Sequence, residues 1–330
     1  MTKAPTPTAD GVRRLVRALL GEGEGEGGAA GAAPEVRPVG EDAAPAAWWV
    51  GARHVLRLAP DREAAARRRR ELPLRDLVRP HLPVAVPAGV AHGEWAPGLP
   101  YTLDIRVPGA SGEDHPVSAA GEGDLAGVLA GLREVPVRQA EALGVPRAAP
   151  RSLETLRRAA EGAARRLATA DEAPDEAGPG ALARLTPAAA AQLGAQSGAA
   201  VLVHHALTGE HLVVGADGRV RGVLGWGGAV LGDPAEDVAA LARATGSPAA
   251  VRAATLAGYG ARPCLRGLWL ARCDALVHLA DALSGRPAAL PLLRARLHRA
   301  WEPILLERVT ELRAGDGADG EGGTGFGGTA

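Results

Sequence analysis

The chain has 330 residues, with 37 Lys+Arg against 38 Asp+Glu, and its formal net charge of -1 provides no overall field to draw it onto nucleic acid or an anionic membrane. It holds no asparagine and a single lysine, Lys3, outside any Gly-Lys-Ser/Thr step; this excludes a Walker-type phosphate loop and, from a terminal tail, Schiff-base lysine chemistry. A hydrophobic content of 46% supports a substantial core, whereas 45 Gly and 26 Pro predict stretches without regular structure.

Val12, Leu15, Val16 and Leu19 recur at helical spacing between arginines, which predicts a short amphipathic helix over 11–20. The run GEGEGEGGAAGAA over 21–33 has no periodicity and reads as a flexible linker. Its Gly23, Gly25 and Gly28 fit G-x-G-x-x-G, but without the flanking strand and helix that a dinucleotide site needs. Trp48 to Val50 and His54 to Leu58, joined through Gly51, predict a hairpin, and Asp61 is placed to cap a helix that runs through the arginine run to Glu71. The proline-rich segment that follows ends this helix, and strands are expected near VAHGEW and over 101–107, the second closed by Pro108-Gly109.

Helices are predicted from Asp124, over 153–170, from Thr186 with Pro187 at its first position, and over 264–283. Between the last two lies a small β region: AAVLVH, HLVV, a turn at Ala216-Asp217-Gly218, and RVRGVL. Cys264 and Cys273 share the last helix and read as buried small side chains; they are too few for a zinc cluster and badly placed for a disulfide. Met1 to Asp10 shows no secretory apolar core, no segment is apolar enough to span a membrane, and the expected location is the cytoplasm. The Gly-rich end over 314–330 is expected to be disordered.

The segment from His204 to Asp237, HHALTGEHLVVGADGRVRGVLGWGGAVLGDPAED, resembles the aminoglycoside phosphotransferase family, small-molecule kinases with a protein-kinase-like fold. The family pattern is H-G-D-L-x-x-x-N-L, a hairpin, a V-I-D-W-G-like segment, and G-D-P-x-x-D. His204, Leu207 and Leu212 match its first part, Val223, Leu224, Trp226 and Gly227 its second, and Gly232, Asp233, Pro234 and Asp237 its third. Arg57 in VLRL looks like the basic residue that reaches the nucleotide phosphates, and Glu71 looks like its glutamate partner. The resemblance implies an α+β, two-lobed kinase-like fold with a small β-rich N-lobe and a larger, mainly helical C-lobe. It divides the chain into a helix and linker over 1–34, a nucleotide-binding-like N-lobe over 35–107, a substrate-side C-lobe over 108–313, and the tail.

Three positions depart from the pattern. In such kinases an Asp accepts the substrate hydroxyl's proton, and an Asn and a second Asp hold magnesium on the phosphates. The matching positions here carry Ala206, His211 and Gly225. Alanine and glycine have no side-chain oxygen, and imidazole is a poor ligand for a hard cation that prefers oxygen. Glu210 and Asp233 are the carboxylates that would have to substitute, and His204, His205 and His211 offer zinc only three nitrogens with no evident fourth ligand. The expected function is therefore a catalytically inactive pseudokinase that binds a small molecule, a nucleotide such as ATP or GTP, or a protein partner, with no metal site. The alternative is an active ATP-dependent small-molecule phosphotransferase with a displaced base and metal site.

Overall fold

A computed structural model describes residues 6–21, 34–40, 46–172, 179–194, 200–285 and 289–305. The linker expected over 21–33 and the tail expected over 314–330 fall outside the described residues, apart from Gly21.

The N-lobe is a five-stranded antiparallel sheet in the order β1-β2-β3-β5-β4. Its strands are β1 (Val36–Pro38), β2 (Ala47–Val50), β3 (His54–Leu58), β4 (Gly89–Ala96) and β5 (Leu99–Ile105). The β2–β3 hairpin forms as predicted, with Trp48 opposite Leu56, and Gly51 turns it at a φ of 56°, where a side chain would be strained. Alternation along the strands then assigns the two faces. Trp48, Val50, Leu56, Leu58, Tyr101 and Leu103 form one apolar cluster, and helix α1 (Ala9–Gly21) covers it with Val12 and Val16. Full burial of each valine contributes about 1.5–3 kcal/mol. The helix predicted over 11–20 forms and packs its apolar stripe on this sheet.

The opposite face carries Val55, Arg57, Thr102 and Asp104 towards the cleft and helix α2 (Arg62–Val78). Asp61 caps α2, accepting a 2.8 Å hydrogen bond from the amide of Ala64. The helix continues past Glu71 with Pro73 inside it, and Leu74 and Val78 join the core of the other lobe. One helix is thereby anchored in both lobes.

The C-lobe core is built by α3 (Ala119–Glu134), α4 (Val137–Ala142), α5 (Leu153–Thr169), α6 (Pro179–Ala183), α7 (Pro187–Gln192), α8 (Ala235–Thr245), α9 (Ser247–Leu256), α10 (Ala261–Gly285) and α11 (Leu290–Trp301). Short strands β6 (Ala110–Ser111), β8 (Leu212–Val214) and β9 (Val220–Val223) form one sheet, and β7 (Val201–Val203) pairs with β10 (Val230–Gly232). Helix α3 starts earlier than Asp124 because Ser118 caps it and the chain approaches closely at Gly121, where a side chain would strike the carbonyl of Gly218. Asp124 instead binds the Arg219 guanidinium and the amide of Val220. Both cysteines are buried and free on α10. No described helix is long and apolar enough to cross a membrane.

Candidate functional site

The cleft between the lobes contains a cavity of about 500 Å³, a size typical of small-molecule sites. Strands β2, β3 and β5 supply Trp49, Val55, Arg57 and Asp104 to its upper wall; Leu212, Leu224 and Glu210 lie on the opposite side. Arg106, where the chain passes between the lobes, stacks its guanidinium on Trp49 at 4.5 Å.

Arg57 and Glu71 are brought together, but loosely. Their closest atoms are 3.6 Å apart, and Arg57 lies 4.0 Å from Asp104. Glu71 has a tighter partner in Arg75, one helical turn on, whose Nη2 and Nε donate to Oε1 at 2.7 and 3.0 Å. Arg75 also donates to Asp104 at 2.8 Å, and the Thr102 hydroxyl adds a 3.2 Å bond to the same carboxylate. Burial opposes the charge on Glu71, yet the guanidiniums of Arg75, Arg57 and Arg68 hold its carboxyl below the ordinary glutamate range. Among the described residues, the guanidiniums of Arg57, Arg68 and Arg75 share the carboxylates of Glu71 and Asp104. Sequence reasoning missed Arg75 and Asp104. The four-residue spacing from Glu71 and the Thr102/Asp104 alternation in β5 were the available signals.

The loop between β7 and β8 is held by buried polar groups. Asp237, on α8, accepts the amides of His204 and His205, each at 2.8 Å. Burial outweighs both bonds and pushes its carboxyl up to about 7. His204 Nε2 donates to the Leu224 carbonyl at 2.8 Å, and burial pushes the ring down to about 3, so it is neutral. The fully buried Trp226 meets the His204 ring edge-on at 4.7 Å and donates to the Val223 carbonyl. His205 adopts a φ of 67°, a conformation disfavoured for a bulky side chain. The framework residues of the motif therefore fix the loop.

The chemistry-bearing positions are differently occupied. Ala206 presents only its carbonyl, which accepts a 2.8 Å hydrogen bond from His211 Nδ1. The imidazole lies over Gly225, so close that a Cβ at 225 would stand 2.5 Å from Nε2. These residues do not fit magnesium, because an imidazole already fills the space where the second oxygen ligand would begin and no side-chain oxygen replaces it. The histidines do not offer a zinc site either, because among the described residues no fourth ligand joins His204, His205 and His211. Among the described residues no group of three His, Cys, Asp or Glu side chains converges as a metal site.

Of the two carboxylates considered as substitutes, Glu210 lines the cleft and is exposed. It accepts from the Thr208 hydroxyl at 3.2 Å and lies 3.6 Å from Arg296 on α11. Arg296 is also bound to Glu113 at 2.7 Å, an interaction with no signal in the sequence. Asp233 faces elsewhere. It borders a separate cavity of about 700 Å³ in the C-lobe, caps α8 through the amide of Ala235, and holds the buried Arg266 at 2.5 Å. Pro234 stands at the N-cap of α8 beside it.

Residues 35–268 match the model of the phosphotransferase enzyme family, and no curated protein matches the sequence. Among solved structures the fold is similar to the GDP complex of wild-type aminoglycoside 2'-phosphotransferase-IIIa, at 20% identity over 81% of this chain and 93% of that chain, with a TM-score of 0.61. It is similar to the GDP and kanamycin complex of APH(2")-IIia, at 17% identity over 92% and 99% of the two chains, with a TM-score of 0.60. It is also similar to macrolide 2'-phosphotransferase MphH from Brachybacterium faecium, at 24% identity over 80% and 91%, with a TM-score of 0.52. The matched span covers more than half of the chain, and the chain belongs to the phosphotransferase enzyme family.

Proposed function

We propose that this chain is a catalytically inactive member of the family, a pseudokinase that binds a nucleotide or another anionic small molecule in the interlobe cleft. The observation that carries the reading is the state of the catalytic loop, where Ala206, His211 and Gly225 supply no side-chain oxygen to accept the hydroxyl proton or to bind magnesium. Loss of a general base alone lowers a rate about 10²- to 10⁴-fold, and loss of the charge clamp on the transferring phosphoryl group lowers it further. Binding groups persist where chemical groups do not. Arg57 retains a permanent cation with bidentate capacity at the cavity wall, and in the cluster behind it three guanidiniums share the carboxylates of Glu71 and Asp104. The complexes of similar folds with GDP point to the same ligand class.

In this reading the N-lobe over 35–107, extended by α1, holds the nucleotide end, and the C-lobe from 108 presents a surface to a second small molecule or a protein partner. A nucleoside phosphate as ligand accords with the cytoplasm.

The deciding experiment assays phosphate transfer from ATP and GTP to a panel of aminoglycosides, macrolides and amino-alcohols. The expected result is no turnover above the rate without protein, together with thermal stabilisation by ADP or GDP. Glu210 supports a second reading, an active enzyme with a displaced base, because it lines the cleft. Its existing contacts, the Thr208 hydroxyl at 3.2 Å and the Arg296 guanidinium at 3.6 Å, compete with that role. Turnover at an ordinary enzyme rate that Glu210→Gln abolishes would establish the second reading in place of the first.

A further inference from the structure

The catalytic loop raises a question that goes deeper than the loss of ligands: whether the metal position is merely emptied or closed. Gly225 adopts a φ of 79° and a ψ of 36°. This left-handed conformation is one that aspartate and asparagine tolerate better than other side chains, so the backbone itself does not forbid an Asp at 225. The obstruction is His211. A Cβ at 225 would lie 2.5 Å from its Nε2 and 3.0 Å from its Cγ, against an ordinary separation of about 3.5–4 Å.

The ring is also restrained from moving aside. A carbonyl only accepts, so the 2.8 Å contact with Ala206 O requires a proton on Nδ1 and holds the ring with Nε2 turned to Gly225. The Thr208 hydroxyl lies 3.3 Å from the same Nδ1, and the His211 carbonyl accepts the amide of Leu224 at 2.8 Å, fixing the backbone beside Gly225.

We infer that His211 and Gly225 form a sterically coupled plug: the imidazole occupies the volume a metal-binding aspartate would need, so the cleft holds nucleoside phosphates through guanidinium without a divalent cation. The inference rests on the pseudokinase reading for its ligand but on the ring-over-glycine geometry for the coupling. The coupling has a direct consequence. Gly225→Asp alone strains the loop and creates no metal site, whereas His211→Asn makes room for the aspartate and supplies the missing oxygen.

The test compares the full chain with Gly225→Asp, His211→Asn and the double variant in thermal unfolding. Gly225→Asp is expected to lower Tm by roughly 5 °C or more, and His211→Asn in the same chain to recover at least half of the loss. Additive shifts overturn the coupling. A second measurement follows Mn²⁺ by electron paramagnetic resonance in the presence of ADP. Wild type and Gly225→Asp are expected to show no saturable site, and the double variant to gain one at least tenfold tighter than any residual binding. Saturable binding of Mn²⁺ by the wild type overturns the plug. Finally, ADP is expected to stabilise the wild type equally in EDTA and in Mg²⁺, and stabilisation that requires Mg²⁺ overturns the metal-free part. If ADP stabilises no form under either condition, the nucleotide reading and metal-free binding fail together, and the additivity of the Tm shifts still decides the steric pair.

Discussion

The two walls of the cleft have met the same physical problem in opposite ways. On the N-lobe side, charge has been concentrated: Arg57, Glu71, Arg75 and Asp104 are held in one largely buried cluster, with Arg68 beside it. On the C-lobe side, the three positions that match the family's catalytic and metal-binding residues carry Ala206, His211 and Gly225, with the imidazole over the glycine. Burying ions is costly unless each finds a partner, so the first wall persists only as a network, and loss of one member exposes the others. At Ala206 and Gly225 the second wall needs no such network, because a methyl and a hydrogen require no counter-charge.

The largest expected effect tests the charged wall. Arg75→Met leaves Asp104 without its 2.8 Å donor and Glu71 with only the looser Arg57. It should reduce stability by about 3–5 kcal/mol in urea unfolding, as removal of one partner from a buried pair does. A loss below about 1 kcal/mol would show that the cluster is dispensable and the contrast between the walls misplaced.

Arg57→Met is the complementary probe. Arg57 makes only long ion-pair contacts within the cluster and lines the cavity. Stability should change by less than about 1 kcal/mol while the affinity for ADP, read by calorimetry, falls about 10- to 100-fold. An unchanged affinity would move the ligand away from the N-lobe wall.

The smallest effect concerns the framework of the second wall. His204 is pushed down to about 3 from 6.5, so its contribution to stability is present above 6.5 and lost as pH falls towards 3. Asp237 is pushed up to about 7 from 3.8, so its contribution is present below 3.8 and lost as pH rises to about 7. Across the shared window from about 4 to 6.5 the two slopes, about 1.4 kcal/mol per pH unit each, have opposite signs and cancel. Asp237→Asn should therefore gain stability relative to wild type as pH rises from 4.5 to 6, and His204→Gln should lose it, both read from urea midpoints. Parallel pH profiles in all three proteins would contradict the burial of these two groups.

Much of the fold was legible because its signals are local. The Gly51 hairpin, the Asp61 cap, the Asp217-Gly218 turn and the apolar stripe of α1 each depend on neighbours a few residues away. The motif from His204 to Asp237 was legible for a related reason, since its residues are fixed in spacing by one loop, one hairpin and one helix start. The linker and tail fall outside the described residues.

Sequence by itself determined which atoms are present: no asparagine, no carboxylate at 206 or 225, and an arginine at 57. Those identities limit the chemistry whatever the fold. Tertiary structure alone decided where the remaining groups were committed. Glu71 is bound more closely by Arg75 than by Arg57, Asp233 is taken by Arg266, Glu210 lies beside Arg296, and His211 stands over Gly225. Except for the Glu71–Arg75 turn of helix, these contacts join residues far apart or across turns, and nothing in local periodicity encodes them. Whether a side chain is a ligand, a counter-ion or a plug depends on which partner lies within about 3 Å, and that distance is set by how the lobes and helices pack.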